Sequence, residues 1–219
     1  MERKARKVKI VSVNLGTLKP LSLGRRTART GHFKDPVGSA RVDRLGLEGD
    51  AIGNPKHHGG PDQAVYLYSA EDYRWWENHL GRELSYGTFG ENLTVSEYAG
   101  RPPRIGDVWV CGQVRLQITG PRIPCATLAA RMGDPGFAKK FARANRGGAY
   151  ARVVQGGSLE CGQEVSVEPY PKASPSVDEL FALWHTPEKD TELMRRALST
   201  PVAARLRQAF ENWLDEPIG

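Results

Sequence analysis

The sequence predicts a mainly β protein with some α-helix. Residues 1–170 should form an irregular closed β-barrel with peripheral helices, and residues 171–219 a small three-helix module. Three observations carry that expectation. Short β-branched or alternating apolar runs recur between residues 8 and 168, divided by glycine and proline. Helical patterns are few in that span, which disfavours a parallel α/β sheet. From Ser176 onward, apolar residues recur at helical spacing instead.

Taken in order, residues 8–15 (Val-Lys-Ile-Val-Ser-Val-Asn-Leu) read as the first strand, because β-branched side chains pack well on a pleated surface. Residues 16–60 show little periodicity and much Gly, Pro, Lys and Arg, so they are expected to be mostly loop with short strands. Residues 64–68 (Ala-Val-Tyr-Leu-Tyr) read as a buried strand. Ser69 then caps a helix with Asp72 at its third position, Tyr73, Trp76 and Leu80 on one face, and Gly81 at its end. Further strands are expected at 93–95, 107–110, 114–119, 149–154 and 164–168. Between them, residues 126–144 suggest two short helices, the second opened by Asp134 and Pro135. After a linker at 169–175, Ser176 caps a helix carrying Val177, Leu180, Phe181 and Trp184. Thr186-Pro187 should open a second helix, and Thr200-Pro201 a third with Val202, Leu206, Phe210 and Trp213.

At 219 residues the chain is long enough to bury a full core. No apolar run approaches the roughly 18 residues of a membrane span. Residues 1–9 are basic but lack the apolar core of a signal peptide, so the reading is a cytoplasmic protein with no membrane partner. Three cysteines without paired spacing argue against a disulfide framework or a zinc ribbon. Of the formal charge of +6, residues 172–219 hold six Lys/Arg against eight Asp/Glu, leaving +8 on residues 1–171. That excess favours an anionic partner such as a phosphate-bearing cofactor. The one conceivable helix-turn-helix falls in the acidic C-terminal module, so no specific nucleic acid is expected.

The chain has no Walker loop, no Gly-x-Gly-x-x-Gly fingerprint, no Gly-x-Ser-x-Gly elbow and no His-Glu-x-x-His helix. Three glycine-punctuated or proline-rigid segments remain. The first runs from Gly46-Leu47-Glu48-Gly49-Asp50 to His57-His58-Gly59-Gly60-Pro61-Asp62, where adjacent glycines leave backbone amides free for an anion. The second is Phe89-Gly90-Glu91-Asn92-Leu93-Thr94. The third is Pro121-Arg122-Ile123-Pro124-Cys125, in which rigid backbone aims one cysteine and a neighbouring cation favours its thiolate. Such a thiolate serves as nucleophile, redox centre or soft metal ligand.

Together with Thr30-Gly31-His32-Phe33-Lys34-Asp35-Pro36-Val37 and Gly148-Ala149-Tyr150-Ala151-Arg152-Val153, these segments make the chain resemble the MOSC family. Within it, the chain is most similar to the YiiM-like subgroup with a C-terminal three-helix domain. The resemblance implies a β-barrel that binds the molybdenum cofactor, with Cys125 as the catalytic thiolate ligand to molybdenum. It also implies reduction of N-hydroxylated compounds, such as hydroxylaminopurines and amidoximes, in a detoxifying role. A separate electron-donor protein would supply the electrons, since no flavin, haem or iron–sulfur motif is present. On that reading Lys34, Arg122 and Arg152 are candidates for the cofactor's phosphate, His58 with Gly59 and Gly60 for its phosphate or pterin, and Asn92 for the pterin edge or substrate. The other two functions open to the same residues are a cofactor carrier and a sulfur-transfer protein. The C-terminal helices offer a docking face for a donor or a homodimer surface.

Other polar residues have plainer expectations. Cys111 and Cys161 read as packing residues. His32, His57, His79 and His185 read as surface or satisfied structural histidines, and Asp50, Asp62 and Glu91 as carboxylates bracing local backbone. Trp75, Trp76, Trp184 and Trp213 read as packing aromatics.

Overall fold

Alternation of apolar side chains closes the barrel. The computed structural model describes residues 8–24, 26–53 and 59–215. Strands β1 (Val8–Leu23), β5 (Val65–Ser69), β6 (Leu93–Val95), β7 (Val108–Cys111), β8 (Val114–Pro121), β9 (Ala149–Gln155) and β11 (Glu164–Glu168) form a ring in the order β1-β11-β7-β8-β9-β5-β6 and back to β1. Every neighbour pair in that ring is antiparallel except β5–β6. The parallel pair requires a crossover, which helix α1 (Ala70–Leu80) supplies. Ser69 caps it by accepting from Asp72 N at 3.0 Å, and Gly81 ends it in the left-handed region.

The expectation of mostly loop with short strands over 16–60 is corrected: long strands occupy much of it. β1 does not stop near Leu15. It leaves the barrel and pairs with β2 (Arg26–Val37), from Val13↔Val37 out to Leu23↔Arg26, as a long projecting hairpin. Polar and charged residues on the solvent side broke the apolar periodicity, so no long strand was legible there. β3 (Ser39–Asp43), β4 (Gly46–Leu47) and β10 (Gly157–Glu160) add a small separate sheet. Loop 48–53 then lies tightly on the hairpin: Ala51 N donates to Gly16 O at 3.0 Å. A β-carbon on residue 31 would stand 1.6 Å from the Ala51 carbonyl oxygen. Gly31→Ala is therefore expected to cost at least about 3 kcal/mol, the upper part of the overpacking range, and to lower Tm by roughly 6 °C or more in a thermal melt.

Helices α2 (Ala126–Met132) and α3 (Phe137–Ala144) fill the stretch between β8 and β9. The second starts two residues later than Asp134-Pro135 suggested, because Asp134 Oδ1 accepts from Gly136 N in a turn before it. After the barrel come α4 (Val177–His185), α5 (Thr191–Leu198) and α6 (Ala204–Asp215). Ser176 and Glu179 form a reciprocal capping box on α4. α5 begins at Thr191, capped by Asp190, and not at Pro187, because Lys189 turns back to hold the carbonyls of Leu183, Trp184 and Thr186. α6 likewise starts after Pro201, where Ala203 N donates to Thr119 O and Ala204 N to Asp62 Oδ2, both on the barrel side.

These helices share the barrel's core. Val177, Leu180, Met194, Leu206 and Phe210 belong to the same buried cluster as Val13, Leu67, Leu93 and Leu116. A second, aromatic cluster joins Tyr68, Tyr73, Trp76, Phe89, Phe137 and Phe141 to Phe181 of α4. Among the described residues no helix is long and apolar enough to cross a membrane.

One carboxylate at this junction is held in an unfavourable state. Burial pushes the Asp178 carboxyl up to about 6, the nearby Asp72 adds to the shift, and Arg146, ion-paired to Asp72, opposes it. The folded protein thus holds this proton more tightly than the unfolded chain, so stability falls as pH rises between the ordinary Asp value of about 4 and that of the folded protein. Asp178→Asn is expected to raise Tm at neutral pH, with the gain vanishing in melts below about pH 4.

Candidate functional site

Where β1 leaves the barrel, the hairpin, loop 48–53, Gly59 and residues at the ends of β5 and β8 bound a cavity of about 410 Å³. Small-molecule sites fall in a range of roughly 300–1,000 Å³. β2 reaches its wall on both sides of a register shift in the hairpin, with Ala28 and Thr30 before it and His32 and Lys34 after it. Asp50, Asn92, Arg122 and Tyr150 are among the other polar residues that line it.

Two linked groups organise it. In the first, the Asp50 carboxylate accepts from Lys34 Nζ, from Gly16 N at 2.6 Å and from Asn92 Nδ2 at 2.9 Å. The ion pair is nearly closed to solvent, with the Lys34 side chain 8% and that of Asp50 11% exposed. Burial pushes the Lys34 ammonium below its usual pKa, and Asp50 offsets part of that. Asn92 is fixed on its other side, its Oδ1 accepting from Tyr66 N at 3.1 Å.

In the second, Arg122 Nη2 lies 2.8 Å from His32 Nε2. A guanidinium can only donate, so Nε2 accepts and the imidazole proton sits on Nδ1. Burial lowers the His32 pKa well below its ordinary value, and Arg122, Lys34 and Arg131 lower it further, so the ring is neutral at neutral pH. Arg122 stays charged: burial opposes it, and Tyr66, Cys125 and Tyr150 raise its pKa by more. Its guanidinium also lies 5.5 Å from the Tyr66 ring centroid and 5.8 Å from that of Phe141. His32 Nδ1 and Arg122 Nη1 are both buried without a partner. Neither atom is open to the cavity itself, so what this wall presents to a ligand is the fixed charge of Arg122.

Cys125 occupies the N-cap position of α2, half-buried, three residues after Arg122 and two before the cavity-lining Thr127. It does not itself line the cavity; as a thiolate it would add to the forces that hold Arg122 charged. None of the three cysteines is disulfide-bonded. Cys111 is a core residue whose thiol burial pushes up to about 12. Cys161 is exposed. Among the described residues, no three His, Cys, Asp or Glu side chains converge as a metal cage. A metal at Cys125 would have to bring further ligands of its own.

The cavity thus gathers Lys34, Gly59, Asn92 and Arg122, with Cys125 beside it. Gly60 is not among the lining residues and opens the short 3₁₀ turn Pro61–Gln63. His57 and His58 lie outside the described residues. Arg152 is engaged elsewhere: it pairs with Asp62 at 2.9 Å and donates to Pro201 O at 3.1 Å, tying the barrel to the start of α6. Sequence reasoning passed over His32, Asp50, Tyr66 and Tyr150. The i, i+2 spacing of His32 and Lys34 was the one available signal, and it is readable only once that stretch is known to be a strand.

Comparison with known proteins agrees with this architecture. The MOSC domain family matches residues 54–166. YflK of Bacillus subtilis (strain 168) is 36% identical over 165 residues, covering 75% of each chain. A protein named reductase from Gibberella moniliformis is 30% identical over 171 residues, 75% of this chain but 30% of that longer one. Among solved structures, YiiM from Geobacillus stearothermophilus superposes with a TM-score of 0.76 at 27% identity, over 94% of this chain and 99% of that one.

Proposed function

The chain belongs to the MOSC domain family, and on that premise we propose that it holds the molybdenum cofactor in this cavity and reduces N-hydroxylated compounds with electrons from a separate redox protein. The observation that carries the reading is the buried permanent cation Arg122, held against neutral His32 on the wall of a cavity flanked by Cys125. An anionic, phosphate-bearing group matches that charge, and a thiolate suits a soft metal.

On this reading Cys125 ligates the metal, and Arg122, oriented by His32, takes the cofactor's anionic tail with Lys34. Asn92, locked between Asp50 and the Tyr66 amide, presents one fixed orientation to the pterin edge or substrate. When bound, the cofactor supplies a two-electron centre able to take oxygen from an N–OH group. Overall the N–O bond is cleaved, two electrons arrive from the donor protein with two protons, and an N–H product and water leave. Neutral His32 accepts from Arg122 through Nε2 and orients the guanidinium without adding charge, while Arg122 remains the permanent cation.

Arg122→Gln is expected to weaken cofactor retention by about 10–100-fold, the worth of a buried charge-assisted contact. Pterin fluorescence of the desalted protein reads it, and unchanged retention would remove the anion-binding role. The reductase reading itself is tested by offering a hydroxylaminopurine to the molybdenum-loaded, chemically reduced protein. Turnover supports it. Loaded protein that never turns over is a cofactor carrier instead.

A further inference from the structure

Positive charge is concentrated on two stretches of the chain. Residues 16–33 hold four Lys/Arg and no Asp or Glu, and residues 126–146 hold five Lys/Arg against one Asp. Strands β1 and β2 of the projecting hairpin run through the first stretch, and α2 and α3 through the second. The fold sets them side by side. Lys19 Nζ of β1 lies 5.8 Å, and the Arg131 guanidinium of α2 4.6 Å, from the centroid of the same Phe33 ring on β2. A turn then leads from α2 into α3, which buries Phe137 and Phe141 and exposes Lys139, Lys140 and Arg143. This basic face meets the outer edge of the cavity, where exposed Arg29 and half-buried Thr127 of α2 are lining residues.

Two aliphatic side chains stand among these cations. Leu18, 41% exposed, precedes Lys19, and its carbonyl accepts from Arg29 Nη2 at 3.3 Å. Ile52, 40% exposed, belongs to the loop packed on Arg29, where a β-carbon on residue 53 would stand 2.6 Å from the Arg29 carbonyl oxygen. Apolar points ringed by charge suit a protein partner with a carboxylate rim. The same face is poorly made for nucleic acid. Asp35 and Asp134, paired to Lys19 at 3.2 Å and to Lys140 at 2.8 Å, place carboxylates where phosphates would have to lie.

We propose that the electron donor docks on this hairpin and α2–α3 face, and that the donor is an acidic one-electron carrier protein. Electron transfer falls off steeply with distance, so the donor must land beside the cavity, as this face allows. The C-terminal helices, the docking face expected from the sequence, hold more Asp/Glu than Lys/Arg and would repel such a partner. Each N–O cleavage takes two electrons and two protons, so two reduced carriers are oxidised per turnover and water supplies the protons. The inference rests on the reductase reading above and adds the partner's charge and its landing place.

A plant-type [2Fe–2S] ferredoxin, acidic and a one-electron donor, is the probe. The molybdenum-loaded full chain is compared with Lys19→Glu, with the double variant Lys139→Glu/Arg143→Glu, and with Glu188→Lys/Glu211→Lys on the C-terminal helices. Hydroxylaminopurine reduction is driven by reduced ferredoxin in one series and by dithionite in the other. KM for ferredoxin should rise about tenfold in the Lys139/Arg143 variant and about threefold in Lys19→Glu, with kcat held. The parent's KM should climb with salt, while dithionite-driven turnover and molybdenum content stay unchanged. Unaltered ferredoxin kinetics in both face variants, an equal loss with dithionite, or a larger KM rise in the C-terminal variant would overturn the proposal. Turnover with dithionite but none with ferredoxin would overturn it too. If neither reductant gives turnover, the reductase reading fails, and calorimetric titration of oxidised ferredoxin still decides the face. Binding that weakens in the face variants keeps it; no binding to the parent at low salt removes it. Duplex DNA that binds the parent more tightly than ferredoxin at physiological salt, and is lost in the same variants, would assign the face to nucleic acid instead.

Discussion

Replacing Cys125 by serine should strip the protein of molybdenum while leaving its fold intact. The residue sits at the N-cap of α2 and is only half-buried, and serine is among the best residues for that position. Thermal stability should hold or rise by up to about 1 kcal/mol. Metal content, by contrast, should fall below detection and reduction of N-hydroxylated substrate with it. Cys111→Ser is the control with the opposite pattern. That thiol lies in the core, 1% exposed, so a hydroxyl there should cost about 1–3 kcal/mol and leave molybdenum in place. Equal metal loss in the two variants would take away the reason for singling out Cys125.

Asp50→Ala should be among the most destabilising single changes in the chain. It leaves the Lys34 ammonium buried without its counter-ion and strands Asn92 Nδ2 and Gly16 N. Breaking a buried pair on one side costs about 3–5 kcal/mol, which corresponds to a Tm loss of roughly 6–20 °C for a chain of this size. Removing both charges is gentler, so Lys34→Met with Asp50→Leu should recover much of that stability. A melt in which the double variant is no better than Asp50→Ala would show that the carboxylate matters for the backbone it braces, and not for the lysine.

Much of the barrel was legible because its strands carry apolar side chains on the inner face. The runs at 93–95 and 164–168 have the observed bounds, and the Ser69 and Ser176 caps start their helices where expected. The hairpin was not legible. β1 beyond Leu15 and most of β2 face solvent on at least one side, so Thr17 to Pro20 carry no buried stripe to betray a strand. That omission hid the cavity, whose wall is the hairpin. It also separated His32 from Arg122 and Lys34 from Asp50, pairs that only strand pairing and loop closure bring together. Asp50 does brace local backbone, as its glycine neighbours implied, and the same carboxylate faces the cavity. Two prolines and an arginine in one short segment single out Cys125 in the sequence, and the structure adds its place at the N-cap of α2 beside the cavity.

The most direct test is the molybdenum content of the full chain purified from cells that make the cofactor, measured by elemental analysis alongside the fluorescence of oxidised pterin. Near-stoichiometric metal, matched by pterin and lost in Cys125→Ser, is the predicted result. Protein that folds normally yet carries neither metal nor pterin under those replete conditions would contradict the account at its centre.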